Sequence, residues 1–206
     1  MAGPDRAGSR RRRRHPLRWV AGILVTVLAV VGAVLAWLTL NPRTNPAEPV
    51  DAMVVLATQP GAHQEALRLA EAGVTDLLIV SNPPDHEFDL CTEQDLPAEI
   101  VCFVPEPTTT QGEAIIGTQL ARDHGAQTLG VLTFDHHIER SRLVFERCWD
   151  QDLHLYEFQP PRQTRHHIYD FVYAMAAYGK TFVVPGCQTQ PPGWLQEPIE
   201  WIKRVR

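Results

Sequence analysis

Residues 51–81 read DAMVVLATQPGAHQEALRLAEAGVTDLLIVS, and this stretch decides the fold. Residues 51–58, DAMVVLAT, are a short apolar run of the kind that makes a strand buried on both faces. Gln59, Pro60 and Gly61 supply turn chemistry. In residues 62–73, AHQEALRLAEAG, the side chains of Ala66, Leu67, Leu69 and Ala70 share one helical face, and Gly73 suits the position just past a helix C-terminus. Residues 76–81, DLLIVS, read as a second strand. Strand, helix and strand in this order make a crossover unit, whose two strands run parallel.

The pattern continues toward the C-terminus. Asn82, Pro83 and Pro84 stop the second strand, and the chain is polar and irregular as far as Glu99. Residues 100–104 read as a third strand, followed by Pro105-Glu106-Pro107 and a helix to about Gly125. Residues 128–133 are a fourth strand, 138–148 a helix, 153–158 a fifth strand, and 166–179 a helix rich in aromatics and alanine. This alternation predicts an α/β domain: a three-layer Rossmann-like parallel sheet with helices on both faces. Ligands of such sheets bind beyond the carboxyl ends of the strands, here the loops at 58–61, 81–85, 105–110 and 133–137. G-x-G-x-x-G after the first strand, a P-loop and G-x-S-x-G are all missing, so dinucleotide, Walker-type nucleotide and serine-hydrolase chemistry lack their motifs.

Toward the N-terminus the character changes. Residues 19–40, WVAGILVTVLAVVGAVLAWLTL, contain no charge. Twenty-two residues make a helix of roughly 33 Å, enough to span a lipid bilayer. Before it, residues 1–18 carry Arg6, Arg10 to Arg14 and Arg18 against one acid, Asp5, a charge of +6. The whole chain has 19 basic and 24 acidic residues, net −5, so the remainder carries −11. Under the positive-inside rule the arginines stay cytoplasmic, with Trp19 and Trp37 near the two interfaces. The expectation is a single-pass plasma-membrane protein whose C-terminal domain is extracytoplasmic. Orientation accounts for the arginines, and no nucleic-acid role is assigned to them. A cleaved signal peptide ending at Val34-Leu35-Ala36 is the alternative, although 22 apolar residues exceed the usual apolar region of about 7–15. Residues 41–49, NPRTNPAEP, read as a short stiff linker, and 50–206 as one domain.

Two segments could carry chemistry. Thr110-Gln111-Gly112-Glu113 fits a capping box, in which the threonine caps a helix and the glutamate reaches back to it. A helix start at a strand edge also offers N–H groups to an anion, and the hydroxyls of Thr108, Thr109 and Thr110 add donors. The second segment, 133–140, is TFDHHIER. It puts Thr133 at a strand end, Asp135 where it caps the next helix, and His137 and Arg140 three apart on one helical face. Imidazole moves protons near neutral pH and guanidinium grips phosphate or carboxylate in a fork. The plainer reading has Arg140 paired with a neighbouring acid and His137 packed. Asp135-His136-His137 is also similar to the DHH stretch of manganese phosphoesterases, with Asp85-His86-Glu87 and His166-His167 as further ligands. Adjacent helical residues point about 100° apart, however, and no metal site is assigned.

Cys91, Cys102, Cys148 and Cys187 form no C-x-x-C, so zinc-ribbon and thioredoxin readings are weak. Outside the cytoplasm four cysteines allow three pairings. Cys91 with Cys102 would close the irregular loop, and Cys148 with Cys187 would tie down the tail; four buried thiols are the alternative. The tail, 181–206, carries Trp194, Trp201, Lys203, Arg204 and Arg206 and is expected to dock on the domain rather than lie on the membrane.

The opening DAMVVL, the helix EALRLAEAG, the strand LLIVS, the T-x-x-E-A at 110–114 and the T-x-x-x-H-x-x-R at 133–140 together resemble the YdcF/SanA/ElyC-like family, the domain of unknown function 218. The resemblance covers roughly residues 51–158. It implies a Rossmann-like fold, a polar pocket at the strand ends, and in anchored members an envelope-barrier or cell-wall role. Carried over, the pocket residues are Thr110, Glu113, Thr133, His137 and Arg140, with Thr109 beside them. The chain departs from the family where a glycine-rich loop becomes Ala57-Thr58-Gln59-Pro60-Gly61, where Ala62 replaces an arginine, and where Ser-Gly-Gly becomes Ser81-Asn82-Pro83. The expected function is binding of a small anionic, phosphorylated or nucleotide-like ligand, with His137 as acid or base; no cofactor is named. A non-catalytic interaction module in envelope assembly is the rival reading, and a metal-dependent phosphoesterase a third.

Overall fold

The computed structural model describes residues 15–56, 61–82, 90–91, 96–159, 178–179, 181 and 186–188. The chain divides into two compact units, Met1–Trp37 and Leu38–Arg206. The first is dominated by one helix, α1 (His15–Leu40), of which Arg18–Leu40 is long and apolar enough to cross a membrane. Its side chains from Arg18 to Val34 are exposed within the protein itself, as expected of a helix whose solvent is lipid. The basic segment before it lies outside the described residues.

The second unit is built on a five-stranded sheet. Its elements are β1 (Ala52–Val55), α2 (Ala62–Glu71), β2 (Leu77–Ser81), β3 (Glu99–Phe103), α3 (Thr110–Asp123), β4 (Thr128–Phe134), a 3₁₀ turn (Asp135–His137), α4 (Ile138–Phe145) and β5 (Asp152–Phe158). All neighbours pair in parallel, in the order β3-β2-β1-β4-β5. The Rossmann-like α/β sheet read from the alternation is therefore present. Side chains alternate across it. Val54, Ile79, Leu129 and Val131 meet Ala114, Ala121, Ile138 and Phe145 on the α3/α4 face. Met53, Val55, Leu78 and Val80 meet Ala62, Ala66 and Leu69 on the α2 face. Gly117 lets α3 lie close on β1, since a Cβ there would stand 3.0 Å from a Val54 methyl.

The expected helix over 138–148 ends at Phe145, whose carbonyl takes the amides of both Cys148 and Trp149. The expected helix over 166–179 lies outside the described residues apart from Tyr178 and Gly179, as do Trp194, Trp201 and the basic end of the tail. Both disulfides pair as the loop argument suggested, Cys91 with Cys102 and Cys148 with Cys187. The start of the tail is docked: Arg147 donates to the Thr181 carbonyl at 2.8 Å and Gln111 to that of Gly186 at 3.4 Å.

The segment read as a linker is a strap. Asn45 donates its amide to the Leu155 carbonyl at 2.9 Å, and the Leu155 amide donates to Asn45 Oδ1 at 2.9 Å, on the side of β5 away from β4. The Tyr156 hydroxyl donates to the Glu48 carbonyl at 2.7 Å. Arg43 is held by Glu139. Proline count and missing periodicity describe a stretch without its own core. They are silent on partners more than 90 residues away along the chain.

Candidate functional site

The sheet order reverses direction between β1 and β4, and the carboxyl end of a sheet at such a reversal is where doubly wound folds bind ligands. Thr133 is the next-to-last residue of β4 there. On the same face, α3 begins and the turn into α4 follows. Four of the residues singled out in the sequence, Thr110, Thr133, His137 and Arg140, meet at this point.

Local geometry at α3 corrects the capping assignment. The N-cap is Thr109, in extended conformation, and its side chain accepts from the Gly112 amide at 3.3 Å. The cap thus lies one residue before Thr110, and the N3 position it defines is Gly112, which has no side chain to complete a capping box. The Pro107 carbonyl fixes the register: it accepts from the Thr109 amide at 2.7 Å, and a Cβ on Gly112 would collide with it. The displacement puts Thr110 at the first helical position, so its hydroxyl is not used as a cap. Glu113 is buried in the same first turn.

His137 is 1% exposed. Its Nδ1 lies 2.7 Å from Thr133 Oγ1 and its Nε2 3.1 Å from Thr110 Oγ1, and Phe134 stacks on the ring at 5.4 Å. Arg140 Nη1 donates to the same Thr110 hydroxyl at 3.1 Å. The shared face expected for His137 and Arg140 takes another form: His137 closes the 3₁₀ turn, Arg140 lies in the first turn of α4, and Thr110 joins them from a different helix. Asp135 does not cap α4; its carboxylate accepts from the His136 amide at 2.7 Å.

Burial, and secondly the Arg140 charge, hold the His137 imidazole well below its ordinary pKa, so the ring is neutral at pH 7. A neutral imidazole donates from one nitrogen and accepts at the other. Either Thr110 donates to Nε2 while Nδ1–H donates to Thr133, or Thr133 donates to Nδ1 while Nε2–H donates to Thr110. In either tautomer the neutral ring satisfies both hydroxyls, one as donor and one as acceptor. The cluster is a hydroxyl–imidazole–hydroxyl chain with a guanidinium at one end.

Sequence reading missed several residues around this site. Glu139 is buried and takes Arg43 in a fork, Nε at 3.1 Å and Nη2 at 2.8 Å, together with the Arg43 amide at 2.8 Å. Burial alone would raise the Glu139 carboxyl; the Arg43 bonds and charge, with Arg142, outweigh it and hold the pKa below the usual carboxylate range. The Tyr178 phenol, raised by burial, also feels the charges of Glu139 and Arg140. No local motif marks these positions, because each depends on contacts between distant segments. Among the described residues no three His, Cys, Asp or Glu are grouped to hold a metal ion, and Asp85, His86, Glu87, His166 and His167 lie outside them.

Comparison with known proteins adds no assignment: no protein family, curated protein or solved structure matches the chain.

Proposed function

We propose that this is a single-pass plasma-membrane protein of the YdcF/SanA/ElyC-like family. Its N-terminus faces the cytoplasm, and its extracytoplasmic domain binds a small anionic, phosphorylated or nucleotide-like ligand in cell-envelope or cell-wall biogenesis. The observation that carries the reading is the meeting of Arg140, Thr110 and the first turn of α3 at the sheet reversal. A guanidinium, a threonine hydroxyl and helix N–H groups are the donors an anion needs, and the helix dipole adds to them. The basic segment ahead of an apolar helix supports the orientation.

His137 serves from behind. With both nitrogens on threonine hydroxyls it fixes and polarises Thr110 and Thr133, and any proton it moves passes through them. That burial favours the second reading as well, a binding or interaction module without turnover. Thermal shifts of the purified full chain with inorganic phosphate and with anionic sugar or nucleotide phosphates test the proposal. Stabilisation that is lost in Arg140→Ala supports it. Equal response in wild type and Arg140→Ala, or none to any anion, overturns it.

A further inference from the structure

We infer that Arg43, in the strap between α1 and the sheet, is a positioning residue for the candidate site. The inference rests on the reading that Arg140 and Thr110 form that site. Arg43 is gripped at three points by α4. Glu139 takes its guanidinium and its amide, and Arg142 Nη2 donates to its carbonyl at 2.6 Å. Arg142 Nε also stands 3.9 Å from the Glu139 carboxylate. Glu139 and Arg142 occupy one side of α4, three residues apart, and Arg140 leaves the same helical turn to reach Thr110.

This arrangement decides how the Glu139 charge is met. Arg43 stands over the buried carboxylate with its own side chain 69% exposed, so one exposed residue neutralises a buried one. Removing it leaves a buried carboxylate among the cations of α4 itself. Such a group is satisfied only by moving toward water or toward those cations, and either movement displaces the first turn of α4. Arg140 and His137 flank Glu139 in sequence and move with it. The strap thus sets the distance between Arg140 and Thr110 through Glu139.

Hydrogen–deuterium exchange of the full chain, compared with binding of inorganic phosphate, tests the inference. In Arg43→Ala the amides of 138–142 exchange roughly tenfold faster, the factor that follows from losing a charge-assisted hydrogen-bonded pair. Those of 77–81 stay unchanged. Arg43→Lys, which keeps charge but not the fork, gives an intermediate rate. Asn45→Ala loosens the strap at β5 and leaves 138–142 as in wild type. Phosphate affinity falls in Arg43→Ala in step with exchange. Unchanged exchange over 138–142 in Arg43→Ala, or an equal effect of Asn45→Ala, overturns the role of Arg43. Altered exchange in a protein that binds no phosphate even as wild type supports the positioning and sinks the anion reading instead.

Discussion

Acidification below neutral pH should weaken this domain, first through His137. His137 is buried as a neutral ring, and its folded pKa lies well below the ordinary value of 6.5. Below pH 6.5 the unfolded chain takes up a proton at this position that the folded chain does not. The stability difference is therefore absent above about pH 7 and grows as pH falls toward the folded pKa. Each pH unit between 6.5 and the folded pKa costs up to about 1.4 kcal/mol. For a domain of this size each kcal/mol lost lowers Tm by about 2–4 °C. Urea denaturation at half-unit pH steps measures it, with His137→Asn as the reference that lacks the proton site. The difference between the two stability profiles should slope below pH 6.5 and flatten above 7. The depressed Glu139 carboxyl acts in the same direction but only at lower pH, being stabilising above its unfolded pKa near 4.5 and lost below its folded one. A flat difference profile, or a His137 ring signal titrating near pH 6.5 by NMR, would refute the reasoning.

Three further outcomes follow from the geometry. Thr109→Val should lose a helix cap worth about 1 kcal/mol and leave the His137 ring nitrogen shifts in place, whereas Thr110→Val should move them and cost about 1–3 kcal/mol; the reverse pattern by NMR would restore Thr110 as the cap. Gly112→Ala gains about 1 kcal/mol in an ordinary helix but should lose about 1–3 kcal/mol here through the Pro107 carbonyl, so a raised denaturation midpoint contradicts that contact. On chain entropy, removing Cys148–Cys187, with a sequence separation of 39, should cost about 4 kcal/mol, and removing Cys91–Cys102, separation 11, about 3 kcal/mol; the opposite order in paired serine variants argues against loop closure as the cause.

The sheet was legible because its strands carry their environment in their composition. AMVV and LLIV are apolar at every position since both faces are covered, and the helix between them shows its period plainly. Thr133, His137 and Arg140 were legible as a group because they follow one strand end within a few residues. The cap on α3 was misplaced by one residue because three successive threonines offer equal local chemistry. The choice among them is made by the Pro107 carbonyl and the lack of room at Gly112. Arg43 and Glu139 were illegible for a different reason. They are 96 positions apart, and nothing in either neighbourhood encodes the other.

The docking of Asn45 on β5 bears on how the protein behaves in a crowd. A parallel sheet ends in strands whose outward amides and carbonyls invite pairing with another polypeptide, the usual route to aggregation. At Leu155 that invitation is already taken, by the residues that follow the apolar helix. Cleaving the chain after the strap would leave this strand open as a template for a neighbouring molecule. A product cut between α1 and Arg43 would keep its guard in place and stay monodisperse.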